Sequence, residues 1–184
     1  MSRRSELASA VATIKAKRNG GVPRVGQVEL TDKTLYLNVS VKGHGGTIQL
    51  IDVNTKREVG ITNIDGIKLN AGRDYILDGI RLLRGSTASV SVKSEKYTST
   101  GTLVEALQNA EIRIKQGGNL LVDMPISDLF NGSSEELFRS MSTSPLIRSN
   151  MEYEFEIEYP KGVSVPSDVE NNIRFELRVH QAKR

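Results

Sequence analysis

The sequence predicts an all-β chain, a single antiparallel β-sandwich over residues 26–184. Three observations predict it. From Gly26 onward apolar residues recur with a period of two rather than 3.6. Turn signals built on glycine, aspartate and asparagine separate these alternating runs into eight or more short segments, the pattern of a sandwich or barrel. The chain has 184 residues, 38% of them hydrophobic and 16 of them glycine, which gives one domain able to bury a core.

The first 25 residues differ from the rest. Arg3, Arg4, Lys15, Lys17, Arg18 and Arg24 stand against Glu6 alone, a net +5, so the remaining 159 residues carry −2 of the chain's +3. Ser5 is suited to cap a helix. Leu7, Val11 and Ile14 then recur on one helical face, and Lys15, Lys17 and Arg18 crowd the last turn, where the helix dipole favours cations. Asn19-Gly20-Gly21 stops the helix. A helix of about 14 residues is marginal in water, so the arm is expected to dock on something outside itself. The contacting residues would be Arg3, Arg4, Leu7, Val11, Ile14, Lys15, Lys17, Arg18 and Arg24.

The alternation then runs through Val28 and Leu30, and through Leu35, Leu37, Val39 and Val41 to the Gly43-His44-Gly45-Gly46 turn. Ile48 and Leu50 follow, and Val59 and Ile61 lead to an Asp65-Gly66 turn. Tyr75-Ile76-Leu77 and Ile80-Arg81-Leu82-Leu83 flank Asp78-Gly79, and Val90 and Val92 continue. Ile112 and Ile114 meet Leu120, Val122 and Met124 across Gly117-Gly118 as a hairpin. A short helical insertion is expected near 126–140, where Ser127-Asp128-Leu129-Phe130 and the Ser133-capped run to Arg139 read as helical turns. The clearest strands come last: Tyr153, Phe155, Ile157 and Tyr159, then Ile173, Phe175, Leu177 and Val179.

No catalytic signature is present. Without cysteine there is no disulfide framework, thiolate metal site or cysteine nucleophile, and two histidines exclude a histidine-rich metal site. The glutamates at 152, 154, 156 and 158 would line one strand face about 7 Å apart. Their simplest role is structural, with Glu154 and Glu156 neutralised by cross-strand ion pairs to Arg174 and Arg178 on the next strand. The glycine-rich loop at 43–46 lacks the lysine and hydroxyl of a phosphate-binding loop. The nine aromatics include no tryptophan, and at least four fall on core-facing positions. Few are then left to stack on bases or sugars. No enzyme activity, cofactor or small-molecule substrate is expected. A two-carboxylate glycan hydrolase is the weakest alternative.

Pro145-Leu146-Ile147, the run Tyr153-Glu154-Phe155-Glu156-Ile157-Glu158-Tyr159-Pro160 and the run Ile173-Arg174-Phe175-Glu176-Leu177-Arg178-Val179-His180 resemble the closing strands of jelly-roll virion proteins. With residues 75–83 and 111–125, the last 110 residues or so are similar to coat proteins of icosahedral bacteriophages. The likeness is one of rhythm and carries no site residues over. It implies a single jelly-roll-like sandwich behind a basic arm, assembling as a trimer or pentamer beside other virion proteins. The arm would then reach a neighbouring subunit, nucleic acid or an internal membrane. The implied place is the virion, after synthesis in the host cytoplasm without secretion, since no signal-peptide stretch or 18-residue apolar run is present. The alternative is a nucleic-acid-binding protein whose arm holds the phosphate backbone. The mildly acidic body argues against a binder that lines a groove with its own charge.

Overall fold

The computed structural model describes residues 29–87, 91–130 and 137–183, together with Ala12. Among the described residues ten strands, in chain order, are β1 (Glu29–Ser40), β2 (Thr47–Gln49), β3 (Arg73–Gly85), β4 (Tyr97–Thr98), β5 (Glu111–Gln116), β6 (Asn119–Pro125), β7 (Arg139–Ser140), β8 (Leu146–Ile147), β9 (Tyr153–Glu158) and β10 (Asn172–Lys183). One helical turn, α1 (Glu105–Gln108), precedes β5, and a 3₁₀ turn, Ile126–Asp128, follows β6.

The strands form two antiparallel sheets packed as a sandwich. The first has the order β1-β10-β3, and the far edge of the long strand β3 is paired in succession by β8, β7 and β4. The second has the order β2-β9-β5-β6. Counting β7 and β8 as one interrupted strand, this is the eight-strand jelly-roll order, two interlocked Greek keys with β4 as an addition. Each step from β1 to β2, β2 to β3 and β9 to β10 therefore changes sheet.

Alternation decides which residues face inward. Leu35 and Leu37 of β1, Ile173, Phe175, Leu177 and Val179 of β10, Ile112 and Ile114 of β5, and Tyr153, Phe155 and Ile157 of β9 all enter one core. Phe155 and Phe175, one from each sheet, meet edge to face with centroids 5.1 Å apart, the favoured geometry for two ring quadrupoles. The Gly117-Gly118 hairpin is as the sequence predicts. Gln116 pairs with Asn119, and both glycines have positive φ (56° and 78°), as a type I′ turn demands.

Several segments depart from expectation. Asp78-Gly79 is not a turn between two strands. It is a bulge inside continuous β3, where the register against β10 shifts between Arg178 and Val179. The extra residue switches the inward parity, from Tyr75 and Leu77 before it to Ile80 and Leu82 after it. Val59 and Ile61 form no strand: Val59 is 83% exposed, and residues 60–63 instead bond to the outer edge of β1 through Asn38 N to Ile61 O and Asn63 N to Tyr36 O. That contact covers part of an otherwise open sheet edge. Among the described residues of the insertion near 126–140, the 3₁₀ turn at its start is helical, and Arg139 is a strand residue facing Ile80, because the β3 edge left open beside the bulge offers it backbone partners. Residues 131–136, and with them the expected Ser133 cap, lie outside the described residues, as does Val90.

Candidate functional site

The expected arm contacts, Arg3, Arg4, Leu7, Val11, Ile14, Lys15, Lys17, Arg18 and Arg24, lie outside the described residues; of that segment Ala12 alone is described, as helical and exposed.

The expected pairing of Glu154 and Glu156 with Arg174 and Arg178 is not formed. Their strands are consecutive in sequence but lie in opposite sheets, because the connection over residues 159–171 crosses the sandwich. Each strand instead finds its counter-charges within its own sheet. Glu156, nearly buried, is held by Lys115 of β5 and by Gln49 of β2, the latter at 2.9 Å. Glu158 pairs with Arg113, which also reaches Asp123 at 3.4 Å. Glu154 is exposed opposite Lys115. On the other sheet Arg174 binds Glu176 at 2.6 Å and Arg178 binds Asp78 at 2.5 Å.

The outer face of the first sheet is thus a connected surface. Buried Glu176 also takes Arg81 at 2.6 Å, its cross-strand neighbour on β3. Arg81 and Arg178 both lie over the ring of Phe138, at 4.5 and 5.1 Å from its centroid. Arg174 lies over Tyr36 at 4.3 Å and within 6.0 Å of Tyr97. Guanidinium planes over aromatic faces gain cation–π attraction. Burial, reinforced by the Glu95 carboxylate and opposed by Arg174, pushes the Tyr97 phenol up to about 12.

One end of the sandwich gathers four connections. The β1–β2 and β9–β10 connections interlock through Gly43 N to Pro166 O, Val165 N to His44 O and a 2.7 Å Lys42–Glu170 ion pair. The β3–β5 and β6–β7 connections meet where Ile126 N donates to Ala110 O. Between the β3–β5 and β9–β10 connections lies a cavity of about 310 Å³ lined by Gly85, Glu95, Leu103, Leu107, Val169 and Asn172 among others. Glu95 dominates it chemically, yet its oxygens are engaged. Oε1 accepts from Thr87 N, Thr87 Oγ1 and Lys96 N, and Oε2 from Asn172 Nδ2 at 3.1 Å. A carboxylate so bonded organises the loop. Gly85 is required beside it, since a Cβ there would lie 2.6 Å from Glu95 Cδ.

At the same end two buried polar atoms, His44 Nδ1 and Tyr159 Oη, find no hydrogen-bond partner among the described residues. Burial pushes the Tyr159 phenol up to about 12. Among the described residues no three His, Asp or Glu side chains converge as metal ligands, and no helix is long and apolar enough to cross a membrane. Glu95, Asn172 and the Phe138 stack escape a reading of the sequence, since each joins segments distant along the chain and carries no local pattern. Compared with protein-family models, with curated proteins and with solved structures, the chain matches none.

Proposed function

We propose that the chain is a structural subunit of an icosahedral bacteriophage particle, in the shell, at a vertex or associated with the capsid, acting by self-assembly and lateral packing rather than by turnover. The observation that carries this reading is the strand order: β1-β10-β3-β7/β8 against β2-β9-β5-β6 is the jelly roll on which many shells are built. The use of the aromatics supports it. Tyr75, Tyr153, Phe155, Tyr159 and Phe175 are buried, Phe130 packs against the core, and Tyr36, Tyr97 and Phe138 lie under arginines. None of the nine is left as an open platform for a sugar or a base.

The contacts would come from the connections. Residues 160–172 present Val163 and Val169, 43% and 49% exposed, and Leu137 of the β6–β7 connection is 48% exposed. Such side chains are suited to burial between subunits. The basic arm would extend this packing to a neighbour or to the material beneath the shell. Sedimentation of the full chain and of a form lacking residues 1–21 tests the reading. A trimer or pentamer that weakens without the arm supports it, and stable monomers of both forms at high concentration overturn it.

The arm's charge favours a second reading, nucleic-acid binding through that segment. Neutralising about five phosphates gives a log–log salt slope of about −4 to −5, and absence of filter binding at low salt removes it.

A further inference from the structure

The opposite end of the sandwich carries a feature that neither reading uses. A cleft of about 140 Å³ opens between the start of β1, the β2–β3 connection and the start of β3. Four cations line it, Lys33, Arg57, Lys68 and Arg73, against one carboxylate, Asp65. Other acids near these side chains are Asp74, which is buried and accepts from Ser149 N, exposed Glu152, whose backbone bridges to that of Lys68, and Asp32 and Glu58, which adjoin Lys33 and Arg57 in the chain and pair with His180 and Lys93. The cleft is therefore a cationic spot on a body whose net charge is −2.

Its cations are treated differently from those elsewhere. On the sheet faces Arg81, Arg113, Lys115, Arg174 and Arg178 each have a carboxylate partner. In the cleft Lys33 reaches only the phenol of Tyr75, donating at 3.1 Å and lying over its ring, and Arg57, Lys68 and Arg73 make no ion pair among the described residues. Four cations thus share the cleft with Asp65 as its one lining carboxylate, an excess of positive charge that attracts an anion from solution.

The scaffold beneath is fixed. Asn63 is tied to β1 by accepting from Tyr36 N at 2.8 Å and donating to Thr34 O at 2.7 Å. Residues 67–69 are held by Tyr153 N to Ile67 O and Asn150 N to Leu69 O, and Ile64 anchors the loop in the core. Tyr75 and Tyr153 form a buried floor, and burial raises the Tyr153 phenol above its ordinary range, keeping it neutral. A preformed cleft of this size has room for a tetrahedral oxyanion with several waters.

We propose that this cleft binds the phosphodiester backbone of a nucleic acid. A chain ligand is favoured over a small anion by two observations. Arg57, Lys68 and Arg73 are all exposed, so that a ligand longer than one anion can reach them. β1 also starts at this end, and the sequence ahead of it carries six cations. With both tyrosines buried, contact is to phosphate and not to bases, so binding is indifferent to sequence. The site is a property of the β-body and does not depend on whether the arm binds.

The test uses the full chain and a labelled oligothymidylate, followed by anisotropy over a range of salt. Arg57→Glu, Lys68→Glu and Arg73→Glu are combined with the arm intact. These side chains are exposed, so the fold should persist, and a parental melting curve checks it. The expected result is a loss of about tenfold or more in affinity, with a log–log salt slope flatter by about 2. Oligodeoxyadenylate should bind like oligothymidylate, and a chain with Arg3, Arg4, Lys15, Lys17, Arg18 and Arg24 changed to glutamine should retain the cleft's share. Parental affinity in the triple variant overturns the site. Displacement by tripolyphosphate, with no oligonucleotide binding by the arm-neutralised chain, would make it a free-phosphate site and overturn the nucleic-acid assignment. So would loss of binding to anionic vesicles alone.

Discussion

Arg178 donates from Nε to Asp78 Oδ2 at 2.5 Å across the step where the β10–β3 ladder loses register. The bulge that places Asp78 there also turns Gly79 toward β7. A Cβ on Gly79 would lie 3.2 Å from Phe138 Cβ and 3.3 Å from Arg139 O. Close approach of β7 to β3, and with it the stacking of Phe138 under Arg81 and Arg178, thus depends on a residue without a side chain.

Gly79→Ala is accordingly expected to destabilise the chain by about 1–3 kcal/mol through crowding. Arg178→Ala removes a half-exposed ion pair and one ring contact and should cost only about 1 kcal/mol. Urea unfolding of both variants checks the order, and equal costs would show that β7 yields without strain.

Glu176 neutralises two arginines at once from a nearly buried position. Glu176→Gln leaves Arg81 and Arg174 half-buried without their counter-charge and should cost about 3 kcal/mol, as breaking a buried pair does. Asp123→Asn, an exposed partner of Arg113 at 3.4 Å, should stay within about 0.5 kcal/mol of the parent. Thermal unfolding at low and moderate salt separates them, since only the second change is hidden by screening.

Along β9, Glu154 and Glu156 look equivalent in sequence and are not equivalent in the fold. Glu156 is 4% exposed with Lys115 and Gln49 as partners, while Glu154 is exposed. Glu156→Ala should cost about 3 kcal/mol by stripping a buried pair, and Glu154→Ala about 0.5 kcal/mol or less. A similar cost for both would refute the assignment of counter-charges within the sheet.

This pair also shows what the sequence could convey. The two-residue rhythm of β5, β9 and β10 is local, so strand identity, inward faces and the Gly117-Gly118 hairpin were legible. Partnership is not local. β9 and β10 are consecutive in sequence but lie in opposite sheets, so a carboxylate on β9 meets β5 and β2, not β10. The Asp78-Gly79 dipeptide carries a turn's composition, yet β10 pairs with both flanks and makes it a bulge. The −2 charge of the body hid the basic cleft for the same reason, because a sum over residues says nothing about where Lys33, Arg57, Lys68 and Arg73 converge.

Tyr159 allows a prediction in which pH and packing act together. Its hydroxyl is buried without a partner among the described residues, which penalises the folded state. Tyr159→Phe removes that group and should raise stability at neutral pH by about 1 kcal/mol. Burial also holds the phenols of Tyr97 and Tyr159 protonated to about 12, whereas unfolded tyrosine ionises near pH 10. Between those values the unfolded chain binds fewer protons than the folded one, so stability falls as pH rises. It should be fully present below about pH 10 and lost progressively toward pH 12. Chemical unfolding of parent and variant across that window checks both claims. Tyr159→Phe should gain at pH 7 and decline less steeply above pH 10; a variant weaker than the parent at pH 7 would mean that the hydroxyl is satisfied by a bond of its own.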